Sequence, residues 1–345
     1  MQDPLNIPGT SDPAGLLNVD TVSAYLQRRG LAAAGSDVQA RTLGGGVSNI
    51  VLAAQAGGRR VVVKQSLPQL RVADEWLAKR ERALTEAAAL RWAAMLTPDA
   101  VPSVYDVDTD AYAITIDRAP DDWRDWKQML LAGDIDPAVA TRLGEVLAAW
   151  HGASGAARVV AAQFDDAEAF DQLRVDPYYR AIMARHPSLA SEIAGYIDRM
   201  QSTHRCVVHG DYSPKNVLVG VGGMWVIDFE VAHLGDPAFD LAFMLNHLLL
   251  KAVHRPADSN AYERCAFAFW NAYRARVPAG FAGPTAYVLG HVGCLMLARV
   301  DGKSPAEYLL PQEQTAARAL SITLLKAPPM ELGEAWARLR MEVRE

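Results

Sequence analysis

Cys206-Val207-Val208-His209-Gly210-Asp211-Tyr212-Ser213-Pro214-Lys215-Asn216-Val217-Leu218-Val219, followed shortly by Trp225-Val226-Ile227-Asp228-Phe229-Glu230, is the stretch on which the reading of this chain turns. Apolar residues precede each acid and fill the space between them. Each polar group therefore falls at the end of a short buried strand. An Asp able to accept a hydroxyl proton, an Asn and a second Asp within ~20 residues are what a nucleotide-dependent phosphoryl transferase requires. One acid aligns the nucleophile; the amide oxygen and the other acid hold a divalent metal through hard oxygen atoms. Asp and Asn are also frequent turn formers, so neither alone carries the reading. The three in this order do.

Working outward toward the N-terminus, Arg60-Val61-Val62-Val63 ends in Lys64. A lysine closing an apolar strand can reach nucleotide phosphates as a point charge. In a partly dry cleft it needs a carboxylate, and Glu86 in Leu84-Thr85-Glu86-Ala87-Ala88 is the candidate. Read alone, each is equally a solvated charge. Gly44-Gly45-Gly46 with Ser48-Asn49 joins two strand-like pieces. Consecutive glycines let backbone N–H groups approach phosphate, although a plain hairpin loop has the same composition.

The elements around these motifs follow from periodicity and punctuation. Residues 1–18 read as a tail, rich in Pro, Gly, Asp and Ser at its start. A helix is expected over Asp20 to Arg29, with Val22, Tyr25 and Leu26 on one face and Gly30 ending it. Strands are expected at Val38–Leu43, Ile50–Ala54, Arg60–Val63, Val104–Val107 and Ala111–Ile116, and a long helix from Trp76 to Met95, stopped by Pro98 and Pro102. After Ile116 the composition turns polar, with Pro120, Trp123 and Trp126. The expected division is a nucleotide-binding lobe over 19–116 and a mainly helical catalytic and substrate lobe over 117–345. Asp136-Pro137 is an N-cap and first-turn pair. Only Cys206–His209, Asn216–Val219 and Met224–Phe229 read as strands in the second lobe.

Taken together, these residues resemble the aminoglycoside phosphotransferase and choline-kinase-like superfamily, distant relatives of protein kinases. The resemblance covers about Thr21 to Leu325. It implies a two-lobed α+β protein-kinase-like fold, with a small antiparallel-sheet lobe carrying one helix and a larger helical lobe. ATP and Mg2+ are the implied cofactors, with adenine near Ile116 to Ala119. In the roles it implies, Lys64 binds phosphates, Glu86 positions it, and Gly45, Gly46, Ser48 and Asn49 line the phosphate loop. Asp211 is the catalytic base, and Asn216 and Asp228 hold magnesium. Asp240 braces the catalytic loop. A narrower resemblance, to the methylthioribose kinase family, rests on Val62-Val63-Lys64-Gln65-Ser66-Leu67-Pro68-Gln69-Leu70-Arg71 followed by Trp76, and on Asp228-Phe229-Glu230. It makes Glu230 an additional metal ligand. The sequence departs from that family at Tyr212-Ser213-Pro214-Lys215-Asn216, and at Arg299-Val300, where the family uses adjacent arginines on its substrate.

Arg299, Asp301 and Lys303 follow the apolar run Cys294-Leu295-Met296-Leu297. They read either as a charged helix end or as substrate-binding groups. A lone arginine can grip a hydroxyl pair or a carboxylate and repels a polycation. The expected acceptor is accordingly a small, neutral or anionic polyhydroxylated metabolite, such as a methylthioribose-like sugar. An aminoglycoside acceptor and a non-catalytic nucleotide-binding pseudokinase are the rival readings. A protein kinase is disfavoured, since no APE-like segment follows Asp228. His209 is expected to brace the loop, and His151 to be a satisfied core histidine. Trp123 and Trp126 are read as packing residues or as partners of a base.

Composition limits the remaining classes. The 345 residues carry 34 basic and 40 acidic side chains, a net charge of −6, with 50% hydrophobic residues. A mildly acidic globular chain has no global attraction to nucleic acid. The longest apolar stretch near the centre, Leu241 to Leu250, is shorter than the ~20 residues that cross a bilayer. Three scattered cysteines fit a reducing compartment, and the start of the chain does not read as a secretory leader. The expectation is a cytoplasmic enzyme acting on a small hydroxylated substrate, with no nucleic-acid or membrane partner; a homodimer is allowed for.

Overall fold

The computed structural model describes residues 15–44, 48–56, 58–71, 78–157 and 162–343. The chain divides into two compact units, Met1–Ala87 with Val104–Arg118, and Ala88–Ser103 with Ala119–Glu345.

The first unit is built on a five-stranded antiparallel sheet in the order β1-β2-β3-β5-β4. Its strands are β1 (Gln39–Thr42), β2 (Asn49–Ala56), β3 (Arg59–Ser66), β4 (Val104–Asp108) and β5 (Ala113–Asp117). All five strands foreseen in this region are present. Helix α1 (Val22–Arg28) starts later than its sequence suggests. The Asn18 side chain accepts from the Asp20 and Thr21 amides and so caps the entry. Gly30, at φ +71°, closes the helix. Val22, Tyr25 and Leu26 pack with Leu52, Ala54, Val61 and Val63 of the sheet, the face that periodicity selects.

Helix α2 (Arg82–Leu96) corrects the expected Trp76 start. Residues 78–81 are not helical, and Trp76 lies outside the described residues. Arg82 is 1% exposed and is held by backbone carbonyls. It donates to Ala78 at 3.3 Å, Lys79 at 2.5 Å and Leu67 at 2.8 Å, and also to Ser48. A buried guanidinium satisfied in this way joins the helix start to the ends of two strand connections.

The second unit is mainly helical. Helix α3 (Trp126–Ala132) is capped by Asp125, and α4 (Pro137–Ala156) by Asp136 with Pro137 in its first turn, as expected. A π-helical stretch, Asp171–Arg180 with Pro177 inside it, follows. Then come α5 (Ala190–Ser202), α6 (Pro237–His254), α7 (Ser259–Arg274), α8 (Thr285–Asp301), α9 (Pro311–Lys326) and α10 (Leu332–Glu342). Two small antiparallel sheets hold the motif: β7 (Cys206–Val208) with β10 (His233–Gly235), and β8 (Val217–Gly220) between β6 (Arg124–Asp125) and β9 (Gly223–Val226). Helix α6 is buried along nearly its whole length. It is the beam on which the functional loop rests. Trp126 is fully buried. Trp123 lies on Gly220, where a Cβ would meet its ring at 2.0 Å, and packs edge-on against Trp225. Both tryptophans make packing contacts within the second unit. All three cysteines are buried and free. Among the described residues no helix is long and apolar enough to cross a membrane.

Candidate active site

In the first unit, β3 carries Lys64 and α2 carries Glu86. Antiparallel pairing sets Lys64 opposite Val51 and Ile114. The Lys64 ammonium meets Glu86 Oε1 at 2.7 Å, and the two residues are 8% and 2% exposed. A strand-end lysine and a mid-helix acid, distant in sequence, are thus joined. Ser48 and Asn49 are tied to the end of β3: Ser66 Oγ donates to Asn49 Oδ1 at 3.1 Å, and the Leu67 amide to the Ser48 carbonyl at 3.0 Å. Gly45 and Gly46 lie outside the described residues.

In the second unit, β7 delivers His209, Gly210 and Asp211. The backbone must turn sharply after the strand, and Gly210 adopts φ +75°. A Cβ there would sit 2.8 Å from the Val231 carbonyl oxygen, so glycine is required on both counts. Asp240 of α6 accepts from the His209 amide at 2.7 Å and the Gly210 amide at 2.9 Å. His151 Nε2 lies 3.2 Å from the same carboxylate, and its Nδ1 lies 2.9 Å from the Tyr273 hydroxyl. Burial raises the Asp240 carboxyl, but the bonds from His151 and the His209 amide outweigh it and leave it below the usual range. Asp240 is therefore the fixed anion that supports the loop, and His151 is the satisfied core histidine its context suggests.

His209 links the two halves of the motif. Its Nδ1 accepts from the Asp211 amide at 3.1 Å, so its Nε2 carries the proton given to the Ile227 carbonyl at 3.2 Å. Burial depresses its protonation further. The ring is a neutral brace. The Ile227 amide in turn donates to the Asn216 carbonyl at 3.0 Å. Asp228 follows with φ +73°, a left-handed conformation uncommon outside glycine. Such a backbone persists where surrounding contacts enforce it, commonly at functional sites.

Three groups converge on Asp211 Oδ2: Asn216 Nδ2 at 2.8 Å, Lys215 Nζ at 2.9 Å and Arg174 Nη2 at 2.7 Å. Asp211 is 1% exposed. Arg174 also donates from Nε to the Gly210 carbonyl at 3.0 Å. It comes from the π-helical stretch and is the residue the sequence reading missed. An arginine in Asp171-Gln172-Leu173-Arg174-Val175-Asp176-Pro177 gives no sign that it turns inward. It also interacts electrostatically with Glu230 and Asp228.

The Asn216 amide gives Nδ2 to two oxygens of Asp211, its carbonyl and its carboxylate. This fixes the amide orientation and turns Oδ1 away as an acceptor. Asp228 is half-buried and Glu230 is 4% exposed. Among the described residues no group of three His, Cys, Asp or Glu side chains is placed to hold a metal. The expected set is different, one amide oxygen and two carboxylates, and this donor chemistry fits magnesium.

The C-terminal candidates behave differently. Asp301 is gripped by Arg318 through two 2.8 Å bonds and by His186 at 2.9 Å, which hold its carboxyl below the usual range, the Arg318 bond most strongly. It ties the end of α8 to α9. Arg299 gives Nη1 to the Ser304 carbonyl at 2.5 Å and to its hydroxyl at 2.8 Å. Lys303 pairs with Asp176 at 2.8 Å.

Residues 39–276 match the model of the phosphotransferase enzyme family, APH. The chain belongs to this family. The methylthioribose kinase of Pectobacterium atrosepticum is 27% identical over 259 residues, covering 67% of this chain and 64% of that enzyme. That of Yersinia pestis is 26% identical over 241 residues, 62% and 59% of the two chains. The matches thus span less than two thirds of these relatives' length. Among solved structures, a choline/ethanolamine kinase family protein from Mesorhizobium loti superposes with a TM-score of 0.51 at 20% identity, over 93% of this chain and 99% of the other. The amicoumacin kinase hAmiN, solved with AMP-PNP and Ca2+, gives 0.54 at 12% identity, over 90% and 95%. These likenesses establish the fold as the expected α+β, protein-kinase-like class.

Proposed function

We propose that this APH-family chain is a small-molecule kinase that moves the γ-phosphoryl group of ATP to a hydroxyl of a small polyhydroxylated acceptor. The observation that carries the reading is the linkage of Asp211, Asn216 and Asp228 through His209 and the Ile227 backbone. A mere hairpin would leave Asp211 in solvent; here it is buried and oriented.

Asp211 is the base. Arg174, Lys215 and Asn216 occupy its Oδ2, which leaves Oδ1 to accept the acceptor's hydroxyl proton. The acceptor oxygen forms a bond to Pγ as the bond from Pγ to the bridging oxygen of ADP breaks. The proton goes to Asp211. Holding the hydroxyl in line supplies much of the barrier lowering. Magnesium, when bound, would be held by Asn216 Oδ1, Asp228 and Glu230, and would neutralise charge on the phosphate oxygens. Lys64, fixed by Glu86, contributes a further positive charge for the nucleotide phosphates, and Ser48 and Asn49 are tied to the end of the same strand.

The reading is tested by a nucleotide-consumption screen with sugars, amino alcohols, aminoglycosides and nucleoside-derived thiosugars. Consumption that depends on one class of acceptor supports it. Bound nucleotide with flat consumption across all classes identifies a binding module instead.

A further inference from the structure

Beside the loop lies a second set of charges that phosphoryl transfer does not use. Lys251 on α6 is 0% exposed. Its hydrogen bond is to the His247 carbonyl of its own helix, at 3.4 Å, and among the described residues no carboxylate pairs with it. His247, one turn earlier, is 7% exposed and feels Lys251, Arg299, Lys215 and Lys127. Tyr308 is the common surface. Lys251 Nζ lies 5.6 Å and Lys127 Nζ 6.0 Å from its ring centroid. Tyr308 Oη and Arg299 Nε are buried donors without a hydrogen-bond partner among the described residues.

Native structures rarely leave such groups unsatisfied. Two ammonium groups, an imidazole, a guanidinium edge and a phenol gathered from three helices and a loop form an excess of positive charge and donors. The carboxylates whose charge acts on the Lys251 amine are Asp125 and Glu307. Asp125 accepts from the Gln128 amide as the cap of α3. Glu307, with a 65% exposed side chain, pairs with Lys127 and stands 4.0 Å from Arg299. It occupies the rim and does not reach Lys251. The chain's own carboxylate shows that an anion is accepted at this edge.

We propose that Lys251, His247, Arg299, Lys127 and Tyr308 form a subsite for an oxyanion, a carboxylate or phosphate group carried by the acceptor itself. The proposal rests on the phosphotransferase reading and narrows its acceptor from polyhydroxylated to anionic. The placement on α6 sets the scale. The Arg174 guanidinium, which holds Asp211, lies 5.9 Å from the Phe243 ring centroid. His247 and Lys251 are one and two turns further on. At 1.5 Å per residue, the anion lies about 6–12 Å along the helix from the level of the reacting hydroxyl. At about 1.2 Å per bond of an extended chain, an acceptor of roughly six to eleven bonded atoms spans it.

The test is calorimetric titration of the full chain with inorganic phosphate and, separately, acetate. Wild type, Lys251→Met and Tyr308→Phe are compared. The wild type is expected to bind one oxyanion per chain saturably. Lys251→Met should weaken binding by roughly tenfold or more, as loss of a charge-assisted hydrogen bond does, while the chain folds as well as before. Tyr308→Phe, which keeps the ring, should weaken it less. Preference for phosphate over acetate assigns a phosphate group, and the reverse a carboxylate. Absence of saturable binding in the wild type, or equal binding in wild type and Lys251→Met, overturns the subsite. The acceptor screen separates the two readings. Lys251-dependent binding without turnover of any acceptor leaves the subsite standing and removes the transferase. Turnover with Lys251-independent oxyanion binding does the opposite.

Discussion

Lys64 on β3 gives its ammonium to Glu86 at 2.7 Å. Lys251 on α6 is more deeply buried and has no such partner among the described residues. Each lysine sits where its side chain cannot reach bulk water easily. At Lys64 the desolvation is compensated within the fold, so the charge is available at a fixed point. At Lys251 it is not, and burial, reinforced by Lys127 and Arg299, brings its pKa down to about 7. The difference teaches what each site awaits. A paired lysine is held at a fixed point by its own carboxylate. An unpaired one is held at a cost that an incoming anion would relieve.

The most severe way to break this contrast is to make Lys64 resemble Lys251. Glu86→Ala removes the carboxylate, and losing one side of a buried pair costs about 3–5 kcal/mol. We expect a loss near the lower end, read by urea unfolding, together with reduced turnover. Lys64→Met with Glu86→Leu in one chain should recover much of that stability while abolishing tight nucleotide binding. A double-mutant cycle would then be strongly non-additive. Simple addition of the two single losses would show that the pair does not act as a unit.

Asp211 sharpens the comparison from the opposite side, because it is a buried anion given three partners. Asp211→Asn keeps its shape and removes the proton acceptor. Turnover should drop by about 10²-fold or more, equivalent to about 2.7 kcal/mol of barrier, with nucleotide affinity near that of the wild type. Retention of most turnover on the true acceptor would remove Asp211 from its role.

Much of this was legible in the sequence because it is local. Asp211 and Asp228 follow short apolar strands, and Asn216 stands just before another. Lys64 closes another, and their order alone narrows the chemistry. The helix faces of α1 and α4 follow from apolar spacing and from Asp136-Pro137. What escaped is non-local. Arg174 reaches Asp211 from a π-helical stretch, where the side-chain period departs from 3.6 and surface arginine is the ordinary expectation. Asp301 looked like an open charge after an apolar run, yet Arg318 and His186 claim it from other segments. Lys251, after Leu248-Leu249-Leu250, resembles a lysine at the end of an apolar helix. Only the approach of α3, α8 and Tyr308 shows that it is enclosed. Arg82 was hidden because a helix was expected to run through it, whereas its side chain binds carbonyls around the helix start.

The gentlest test acts on Lys251 and uses pH. Its ordinary value is 10.5 and its folded value about 7. Between these values the unfolded chain holds a proton that the folded chain has released. Stability must then rise with pH across this window, by up to about 1.4 kcal/mol per unit. Below the folded value both states are protonated, and the whole penalty of burying the charge is present. Lys251→Met removes the group and with it the slope. The variant should therefore be the more stable protein near neutrality, and its advantage should shrink as pH rises from about 7 toward 10.5. Lys127, Arg299, Asp125 and Glu307 also face the amine, but they are common to both proteins and largely cancel in the difference. His247 is held well below its ordinary 6.5, by burial first and then by Lys251 and Arg299, so its own titration falls under the window. Burial raises the Tyr308 phenol out of the window on the other side. Unfolding free energies of wild type and Lys251→Met, measured at several pH values without added phosphate, give the difference directly. Parallel curves would mean that the amine titrates alike in both states and that the fold holds no unpaired charge there. Convergence that disappears when phosphate is added would tie the released proton to the oxyanion subsite.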